Sequence, residues 1–518
     1  MSDLLQLPSA TKLVMLAYIL SLGCAVYLFF KQSNYWKYAL FSAAFCLAAC
    51  FSMFMPFLNI WDEQFHALVA KNMLQNPLHP RLFLEDVRDV TTSNWVMTIT
   101  WLHKPPLFLW VMGLSVKVFG PTIFAVRFPS MVLHGLMTCA SYKIGRNLFD
   151  KKSGLILAVM FMHSSYLLGL ITGKNMTDHN DVFFLGFILF SFWTFTEYLK
   201  EHKRRWAYLT GVFAGCAVLT KWLVGLLVFA PWGIISIIYI IQNKQSQVLV
   251  DQLRALLITL LVFLPWQVYI FLRFPKEAAL EMELNASHFH SPVEKHGGDF
   301  LFHFDQISEL YFFKWDFLIV LSISCVILIW KKAKWQSLLV SFCIIFIVYL
   351  FFTHAATKMP SFTLPAYPMV LLIFAAGITS LASYFKNHLL RIGMQVTCVV
   401  FFLFHLFNPD KVMEEYAIAH DSKVKETFRM RKYQNDFMLA NADAPNKRVV
   451  FGCELRGYAY VQWMYFTKDM AYPFYPSRAD ISRIQQKGYH VALIDWNYSI
   501  PAELVGLPDL EVLRYQDK

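Results

Sequence analysis

The sequence predicts an all-α polytopic membrane protein of about twelve spans, followed by a small C-terminal α/β domain on the extracytoplasmic side. Hydrophobic residues make up 57% of the 518 residues and charged residues only 16%, against roughly 45–50% and 25% in soluble domains. Apolar runs long enough to span a bilayer recur along most of the chain, which excludes a soluble multidomain enzyme and a monotopic anchor. After Asn408 the composition becomes mixed.

Twelve apolar segments carry the prediction of spanning helices. In chain order they are 12–31, 38–58, 122–145, 153–171, 179–198, 207–220, 222–241, 252–271, 316–330, 335–352, 361–384 and 390–407. A further apolar segment, 105–119, is short for a hydrocarbon core of about 30 Å at 1.5 Å per residue. We therefore expect it to form a helix that lies on the outer membrane surface.

The loops between these segments carry very unequal positive charge. Lysines and arginines concentrate in alternate loops, at Lys31, Lys37, Arg146, Lys151, Lys152, Lys200, Lys203, Arg204, Arg205, Lys244, Arg254, Lys331, Lys332, Lys334, Lys386 and Arg391. The positive-inside rule makes those loops cytoplasmic. It also accounts for the net charge of +11 without a nucleic-acid partner. The loops 59–121 and 272–315 and the tail are then extracytoplasmic.

The tail 408–518 shows the pattern of a small soluble domain. Strand-like runs at 447–452 and 491–495 bracket a helix-like run at 478–487, as in alternating β and α elements. The chain thus divides into a membrane module, 1–407, and an extracytoplasmic α/β domain, 408–518.

Two adjacent carboxylates, Asp62 and Glu63, stand directly after the predicted span 38–58. Ionisable residues at a membrane boundary are candidates for function because placing them near hydrocarbon is costly. The alternative is that both acids simply begin a helix over 62–75, where the helix dipole favours negative charge. The residues alone leave both explanations open.

Positive charges occur in the same outer loop. Lys104 precedes Pro105 and Pro106, and prolines suit the first turn of a helix, but this does not explain the lysine. Together with Arg81 and Arg88, Lys104 would suit a phosphate group held at the membrane surface.

A second outer loop returns acids to the same level, at Asp178 and Asp181 beside His179. Asp178 could merely cap the helix that follows. Acids from two loops could instead flank an acceptor or hold a divalent cation, with His179 as a further ligand. The spacing forms no recognisable metal motif, so a metal requirement stays undecided.

Two more lysines, Lys221 and Lys358, fall in short outer loops. Each alone is explained as a lysine whose charged end reaches the interface. Together with the outer carboxylates they suggest an anionic ligand. The long loop 272–315 contains several histidines and shows no obvious regular core, which is typical of a functional loop or lid. We expect its histidines to be ordinary surface residues.

Six motifs resemble those of one enzyme family. They are WDEQFHALVAKNML at 61–74, HKPPLFLW at 103–110, RFPS at 127–130, TDHNDVFF at 177–184, GVFAGCAVLTKW at 211–222 and TKMPSFTLPAYP at 357–368. In this order they resemble the polyprenyl-phosphate-sugar-dependent glycosyltransferases of the GT-C fold. The group in question contains protein O-mannosyltransferases and lipid A aminoarabinose transferases.

The resemblance implies a GT-C-like helix bundle with an extracytoplasmic active site in a bacterial inner membrane. It implies a polyprenyl-phosphate-linked sugar as donor, surrounding membrane lipid, and an inverting transfer to a hydroxyl of a protein serine or threonine, of lipid A or of another envelope glycan.

Carried over residue by residue, the resemblance makes Asp62 the candidate general base, accompanied by Glu63, with Asp178 as the acid of the second loop. Lys104 would contact the donor phosphate or orient an acid, and Arg81, in the same outer loop, is a further candidate for binding the phosphate. Lys221 and Lys358 would also lie toward the donor phosphate. His103, His179 and Asp181 would take supporting positions around the site. Two departures affect the donor site: His103 replaces an acid found in many relatives, and the stretch 81–101 is longer than usual.

Two other classes of protein compete with this interpretation. A secondary transporter or flippase of a lipid-linked or anionic substrate would carry polar sites near the bilayer midplane and repeated halves, whereas the acids here cluster at the ends of spans. A noncatalytic scaffold whose outer domain binds a partner would leave the outer acids and lysines unexplained.

Overall fold

The structure is a computed structural model. It describes residues 9–87, 94–176, 178–244, 246–311, 315–409, 422–442, 447–453, 458–496, 500–507 and 509–515, without the side chains of 243 and 422–428. Arg88 and Thr177, which belong to the motifs above, lie outside the described residues.

The chain is a multi-pass membrane protein by the length and composition of its helices. Eight described helices are long and apolar enough to cross a membrane: Ser9–Phe30, Ile123–Leu148, His179–Glu201, Leu223–Gln242, Gln247–Arg273, Trp335–His354, Pro360–Ala382 and His388–Leu406. Two bent pairs, Lys151–Met162 with Ser165–Ile171 and Phe302–Tyr311 with Trp315–Trp330, raise the number to ten. All twelve predicted segments contain helix, whereas a total of twelve crossings stays a prediction.

The described helices fall into two compact units. The first, here called the helical unit, comprises Met1–Phe51, Ser130–Thr172 and Asn180–Val412. The second, the mixed unit, comprises Ser52–Pro129, Gly173–His179 and Met413–Lys518. The tail that the sequence set apart from residue 408 onward therefore shares a unit with the segment Ser52–Pro129.

The helical unit is organised around one deeply buried helix. Tyr367–Ala382 is buried along nearly its whole length and packs against Trp315–Trp330 and Lys151–Met162. A helix that is apolar on every side suits the centre of a bundle. Other helices of this unit, such as Gln247–Arg273, bury only part of their surface and expose large apolar side chains.

A second contact in the helical unit is unusually close. The helices Arg204–Lys221 and Gln247–Arg273 pack together where Gly211 lies against the backbone of Ala255, leaving no room for a Cβ atom. The Thr259 hydroxyl donates a hydrogen bond of 2.9 Å to the Gly211 carbonyl. Small residues that allow close approach, joined by a hydroxyl hydrogen bond, are typical of helix pairs in membranes.

The loop 272–315 is more regular than the sequence suggested. It contains the helix Pro275–His290 and two short helices, Phe302–Asp305 and Ile307–Tyr311. The expectation of a long loop with no regular core was wrong, because Pro275 starts the first helix and the following run KEAALEMEL is rich in strong helix formers.

The mixed unit contains a four-stranded parallel sheet. The strands are β1 (Arg448–Phe451), β2 (Met470–Ala471), β3 (His490–Trp496) and β4 (Leu510–Tyr515), in the order β2-β1-β3-β4. The helices Ala459–Phe466 and Arg478–Gln486 connect successive strands, as parallel pairing requires. The predicted strands near 447–452 and 491–495 and the helix near 478–487 are present.

The mixed unit also contains the helix Asp62–Asn72, of which ten of the eleven residues are buried. It packs against Leu107–Phe119 and Ala459–Phe466. At its C-terminal end the Lys71 ammonium donates to the carbonyls of Met464 at 2.7 Å, Tyr465 at 2.8 Å and Thr467 at 2.6 Å. These three carbonyls lie at the C-terminal end of the helix Ala459–Phe466. Carbonyls at a helix C-terminus interact favourably with a cation.

The apolar segment 105–119 forms the helix Leu107–Phe119 of 13 residues. One face of it is buried against the helix Asp62–Asn72, where Gly113 lies close to the carbonyl of Ala70. Its expected position on the outer membrane surface stays a prediction.

Candidate active site

Glu63 is the centre of a fully buried ionic cluster in the mixed unit. Arg127 approaches it with two nitrogens, Nε at 2.8 Å from Oε1 and Nη2 at 3.1 Å from Oε2. His179 Nε2 lies 3.1 Å from Oε1, and the backbone N–H of Asn59 donates to Oε2 at 2.6 Å. Both carboxylate oxygens of Glu63 are therefore engaged, and the two-pronged arginine fixes the plane of the carboxylate.

Arg127 is held as firmly as its partner. Only 1% of it is exposed, and its remaining donors reach the carbonyls of Met55 and of Phe57, the latter at 2.7 Å. These carbonyls belong to the turn between the helix ending at Ser52 and the helix beginning at Asp62. The guanidinium thus shapes the chain just before the candidate base.

A glycine completes the pocket of the buried glutamate. Gly173 has a φ of +71°, and a Cβ atom there would overlap the Glu63 carboxylate. Its carbonyl accepts a hydrogen bond of 2.7 Å from the Asn59 amide. Any larger residue would be strained and would displace the carboxylate, so this position requires glycine.

The electrostatic state of Glu63 follows from these contacts. Burial by itself raises the pKa of the Glu63 carboxyl, but the charge of Arg127 and the hydrogen bonds from His179 and Arg127 outweigh burial and lower the pKa to about 2. Glu63 is therefore an ionised carboxylate at neutral pH.

The second buried pair joins the same helix to the segment just before the helix His179–Glu201. His66 Nδ1 lies 2.9 Å from Asp178 Oδ1, and both side chains are buried. Because a carboxylate only accepts, His66 donates from Nδ1. Its other ring nitrogen, Nε2, is buried and has no hydrogen-bond partner within the described ranges. Asp178 therefore orients His66 and leaves Nε2 for a group that enters beside it.

Asp62 differs from its neighbour Glu63. It begins the helix, is 8% exposed, and makes no hydrogen bond or ion pair with the part of the chain that the structure describes. The Asp62 oxygens are not among the fully buried atoms that lack a partner, so the carboxylate still reaches solvent and is accessible to a group from outside the protein. Of the three predicted acids, only Asp62 has no partner among the described residues, and its role as general base stays a prediction.

An aromatic network connects the start of this helix with the Lys-Pro-Pro segment. The Trp95 ring lies 5.7 Å from the Trp61 ring and 4.9 Å from the Phe65 ring, measured between centroids. On its other side it stacks on His103, at 4.4 Å and 5° between planes. The aromatic contacts thus bring the segment containing His103 and Lys104 to the start of the helix Asp62–Asn72.

Lys104 is half-buried and has no partner among the described residues. It directly precedes the two prolines that start the helix Leu107–Phe119. Arg81 is more constrained, because its Nη1 donates to the Leu84 carbonyl at 2.8 Å. Its Nε atom is buried and has no partner in the ranges that the structure describes. Of these two cations, Lys104 is therefore the more available to an anion.

The other predicted site residues lie in the helical unit and are engaged there. Asp181 forms an ion pair with Lys221, whose ammonium also lies 5.3 Å from the centre of the Phe362 ring. Lys358 is 5% exposed and donates to the Thr353 carbonyl at 2.5 Å, at the end of the helix Trp335–His354. Each of these lysines has a local structural contact that accounts for it.

The arrangement does not favour a metal centre in the described part of the chain. No group of three or more His, Cys, Asp and Glu residues is placed to hold a metal ion there. Within the mixed unit, Glu63 and Asp178 are paired with Arg127 and His66, so they are not presented together as an open set of oxygen ligands.

Sequence reasoning missed two residues of this site. His66 follows Asp62 by four positions, which places both on one helix face, so the helical spacing carried a usable signal. Arg127 belongs to the motif at 127–130, but the sequence analysis assigned it no function. Placing an arginine at the start of an apolar helix costs free energy, which is itself a signal of function. Its pairing with Glu63, 64 positions away, requires the tertiary structure.

Comparison with known proteins places these features in a family context. Residues 103–269 match the family described as dolichyl-phosphate-mannose-protein mannosyltransferase. The chain is 26% identical over 245 residues to an undecaprenyl phosphate-α-4-amino-4-deoxy-L-arabinose arabinosyl transferase of Pseudomonas savastanoi, covering 46% of this chain and 42% of that protein. It is 25% identical over 328 residues to the enzyme of the same name from Shewanella sediminis, covering 61% and 57%. The chain thus spans about half the length of these curated relatives.

Solved structures extend the similarity over most of the chain. The structure of ArnT from Cupriavidus metallidurans bound to undecaprenyl phosphate matches with a TM-score of 0.62 at 13% identity, covering 88% of each chain. The oligosaccharyltransferase of Archaeoglobus fulgidus matches with a TM-score of 0.55 at 11% identity, covering 85% of this chain and 65% of that one. The predicted GT-C fold and the resemblance to the aminoarabinose transferase and protein mannosyltransferase group are confirmed.

Proposed function

We propose that this protein is a membrane glycosyltransferase that moves a sugar from a polyprenyl-phosphate donor to a hydroxyl of an acceptor. The proposal rests on the contrast between Asp62 and Glu63. Four hydrogen bonds hold the Glu63 carboxylate, whereas Asp62 has no partner among the described residues. The similarity to enzymes named for undecaprenyl phosphate-linked aminoarabinose supports a lipid-linked donor. The site then faces the extracytoplasmic side of a bacterial inner membrane.

The reaction is a single displacement with inversion. The acceptor hydroxyl oxygen bonds to the anomeric carbon of the sugar while the bond from that carbon to the phosphate oxygen breaks. Asp62 accepts the hydroxyl proton, and the electron pair of the broken bond leaves with the polyprenyl phosphate. General-base catalysis of this kind contributes about 10²–10⁴-fold.

The other residues of the site have distinct roles in this proposal. Lys104 is placed to stabilise the charge that develops on the leaving phosphate, since it is a cation without an internal partner. Glu63 and Arg127 are positioning residues that fix the turn before Asp62. Asp178 orients His66, whose Nε2 is placed to bind a sugar or acceptor hydroxyl.

The acceptor is proposed as a hydroxyl of a cell-envelope component, with lipid A, another envelope glycan and a protein serine or threonine as the classes to test. The lipid A glycan is the class implied by the sequence resemblance to lipid A aminoarabinose transferases, whereas the names of the relatives specify only the sugar and its undecaprenyl phosphate carrier. The protein class is favoured by the family that residues 103–269 match.

The test compares the wild type with Asp62→Asn in purified, membrane-reconstituted form. Undecaprenyl phosphate carrying aminoarabinose or mannose serves as donor, and lipid A, envelope glycan and protein fractions serve as acceptors. We expect wild-type release of undecaprenyl phosphate coupled to sugar transfer, and a loss of at least 100-fold in Asp62→Asn.

Asp86→Asn provides the matched control, because Asp86 is an exposed carboxylate of the same unit. It should retain wild-type turnover, and Asp62→Asn should elute and unfold like the wild type. Unchanged turnover in a well-folded Asp62→Asn would overturn the assignment of the base. No turnover of any donor by the wild type, together with uptake of a labelled lipid-linked sugar into vesicles, would favour a transporter.

A further inference from the structure

The mixed unit contains a cavity of about 240 Å³ that the catalytic proposal does not use. Its walls come from the helix Ser422–Ala440, the helix Ala459–Phe466, the end of β3 and the segment just before Asp62. The volume is slightly below the roughly 300–1,000 Å³ of pockets for drug-sized ligands, so it fits a small cyclic group.

Aromatic rings form one part of the cavity wall. The indole N–H of Trp463 donates to Asp469 at 2.8 Å, and that of Trp496 donates to the Gly452 carbonyl. Phe437 lies near both tryptophans, with ring centroids 6.1 Å and 6.0 Å away. Because the polar edges of both indoles are already satisfied, the rings offer mainly apolar surface to an occupant.

Side-chain amides form the polar part of the wall. Gln434, Asn435 and Gln462 line the cavity, are only partly buried, and make no hydrogen bond or ion pair with the residues that the structure describes. Each amide offers two N–H donors and one carbonyl acceptor. Three such groups facing one small space match a ligand whose polar groups both donate and accept, as hydroxyls do.

The charge of the cavity wall favours a neutral ligand. None of the described lining residues is a carboxylate. The single cation, Arg431, donates to the Leu58 carbonyl at 2.7 Å and lies over the Phe57 ring at 5.0 Å. Burial raises the pKa of the Cys453 thiol, which therefore stays uncharged. Apart from Arg431, which already contacts Leu58 and Phe57, the described lining of the cavity is uncharged.

The cavity lies next to the candidate base along the chain. Ile60, in its wall, precedes Asp62 by two residues, a distance that the backbone spans in at most about 7 Å. A ligand held in the cavity is therefore anchored close to the carboxylate that would accept a proton.

We propose that this cavity, between the amides Gln434, Asn435 and Gln462 and the rings Trp463 and Trp496, binds a neutral sugar ring of the acceptor glycan. The inference rests on the proposed transferase function. The aromatic rings stack on the C–H face of the sugar, and the amides bind its hydroxyls. The bound ring positions the next hydroxyl of the glycan toward Asp62.

The test is direct binding, measured without donor or turnover. Saturation-transfer difference NMR is recorded on the full-length protein in nanodiscs with glucose, galactose, mannose and N-acetylglucosamine, each as the free sugar at millimolar concentration. We expect a signal from at least one sugar, weakened at least fivefold in Gln434→Ala/Asn435→Ala. Gln486→Ala removes an exposed amide of the same unit and should bind like the wild type.

The outcomes separate the cavity from the transferase reaction. Asp62→Asn should still bind the sugar, so loss of transfer with retained binding supports both proposals. Turnover by the wild type with no sugar bound, or equal binding by the double variant, would overturn the cavity assignment alone. Displacement of the free sugar by undecaprenyl phosphate-linked sugar would assign the cavity to the donor and overturn the acceptor assignment. Retained binding in the presence of that donor supports it.

Discussion

The candidate acids of the mixed unit and of the helical unit differ in their hydrogen-bond and ion-pair partners. In the helical unit, Asp181 is paired with Lys221, which remains 25% exposed at its side chain. In the mixed unit, Glu63 is saturated by four donors while its neighbour Asp62 has none among the described residues. The motif that contains Asp178 and Asp181 is itself divided between the two units. Proximity in sequence therefore does not distinguish these acids, whereas their hydrogen-bond partners do.

The largest effect should follow removal of the saturated charge. Glu63→Gln leaves Arg127 buried without its counter-ion, and breaking a buried pair in this way costs about 3–5 kcal/mol. Asp181→Asn should cost about 1 kcal/mol or less, because Lys221 can be hydrated. Denaturation in detergent, followed by tryptophan fluorescence, measures both free energies of unfolding. Equal losses in the two variants would show that the clusters do not differ in burial as the structure indicates.

The second-largest effect should distinguish Lys104, in the mixed unit, from Lys358, in the helical unit. Lys104→Met should lower the turnover number by about 10²-fold, since it removes a charge proposed to stabilise the leaving phosphate. Lys358→Met removes a donor to helix-end carbonyls, so it should lower thermal stability and leave the turnover of the folded fraction within about threefold. Steady-state kinetics normalised to folded protein distinguishes them. An equally large kinetic loss in Lys358→Met would instead support its predicted role at the donor phosphate.

The smallest effect is a pH dependence specific to the mixed unit. The Glu63 carboxyl has a folded pKa of about 2 against an ordinary value of 4.5. Because the lowered pKa stabilises the folded state above the ordinary value, that contribution is lost as the pH falls from about 4.5 towards 2. Unfolding midpoints between pH 7 and pH 3 should fall more steeply in the wild type than in Glu63→Gln. Parallel profiles for the two proteins would contradict the ionised state of Glu63.

The sequence predicted the helices and the small α/β region well because both depend on local patterns. The apolar runs located every predicted span on a helix, and the alternation of elements near 447–495 located β1, β3 and the helix between them. The helix Pro275–His290 was missed because its own sequence is rich in polar residues, and polar helices give a weak periodic signal.

The site was predicted in part. Asp62, Glu63, Asp178 and Lys104 were found because each is a charged residue next to an apolar segment. Their division into satisfied and unsatisfied groups was not, because the partners are distant in sequence. Glu63 meets Arg127 and His66 meets Asp178 across 64 and 112 positions. Only the tertiary fold shows which charge is already neutralised.

The contact of Lys71 with three carbonyls limits which segments of this protein can be exchanged with those of a relative. Its ammonium joins the helix that begins at Asp62 to the end of the helix Ala459–Phe466, near the opposite end of the chain. A chimera that received its C-terminal region from a relative would retain this lysine but would present it with foreign carbonyls. The segment Ser52–Pro129 and the C-terminal region share one compact unit, so they should be exchanged together between relatives.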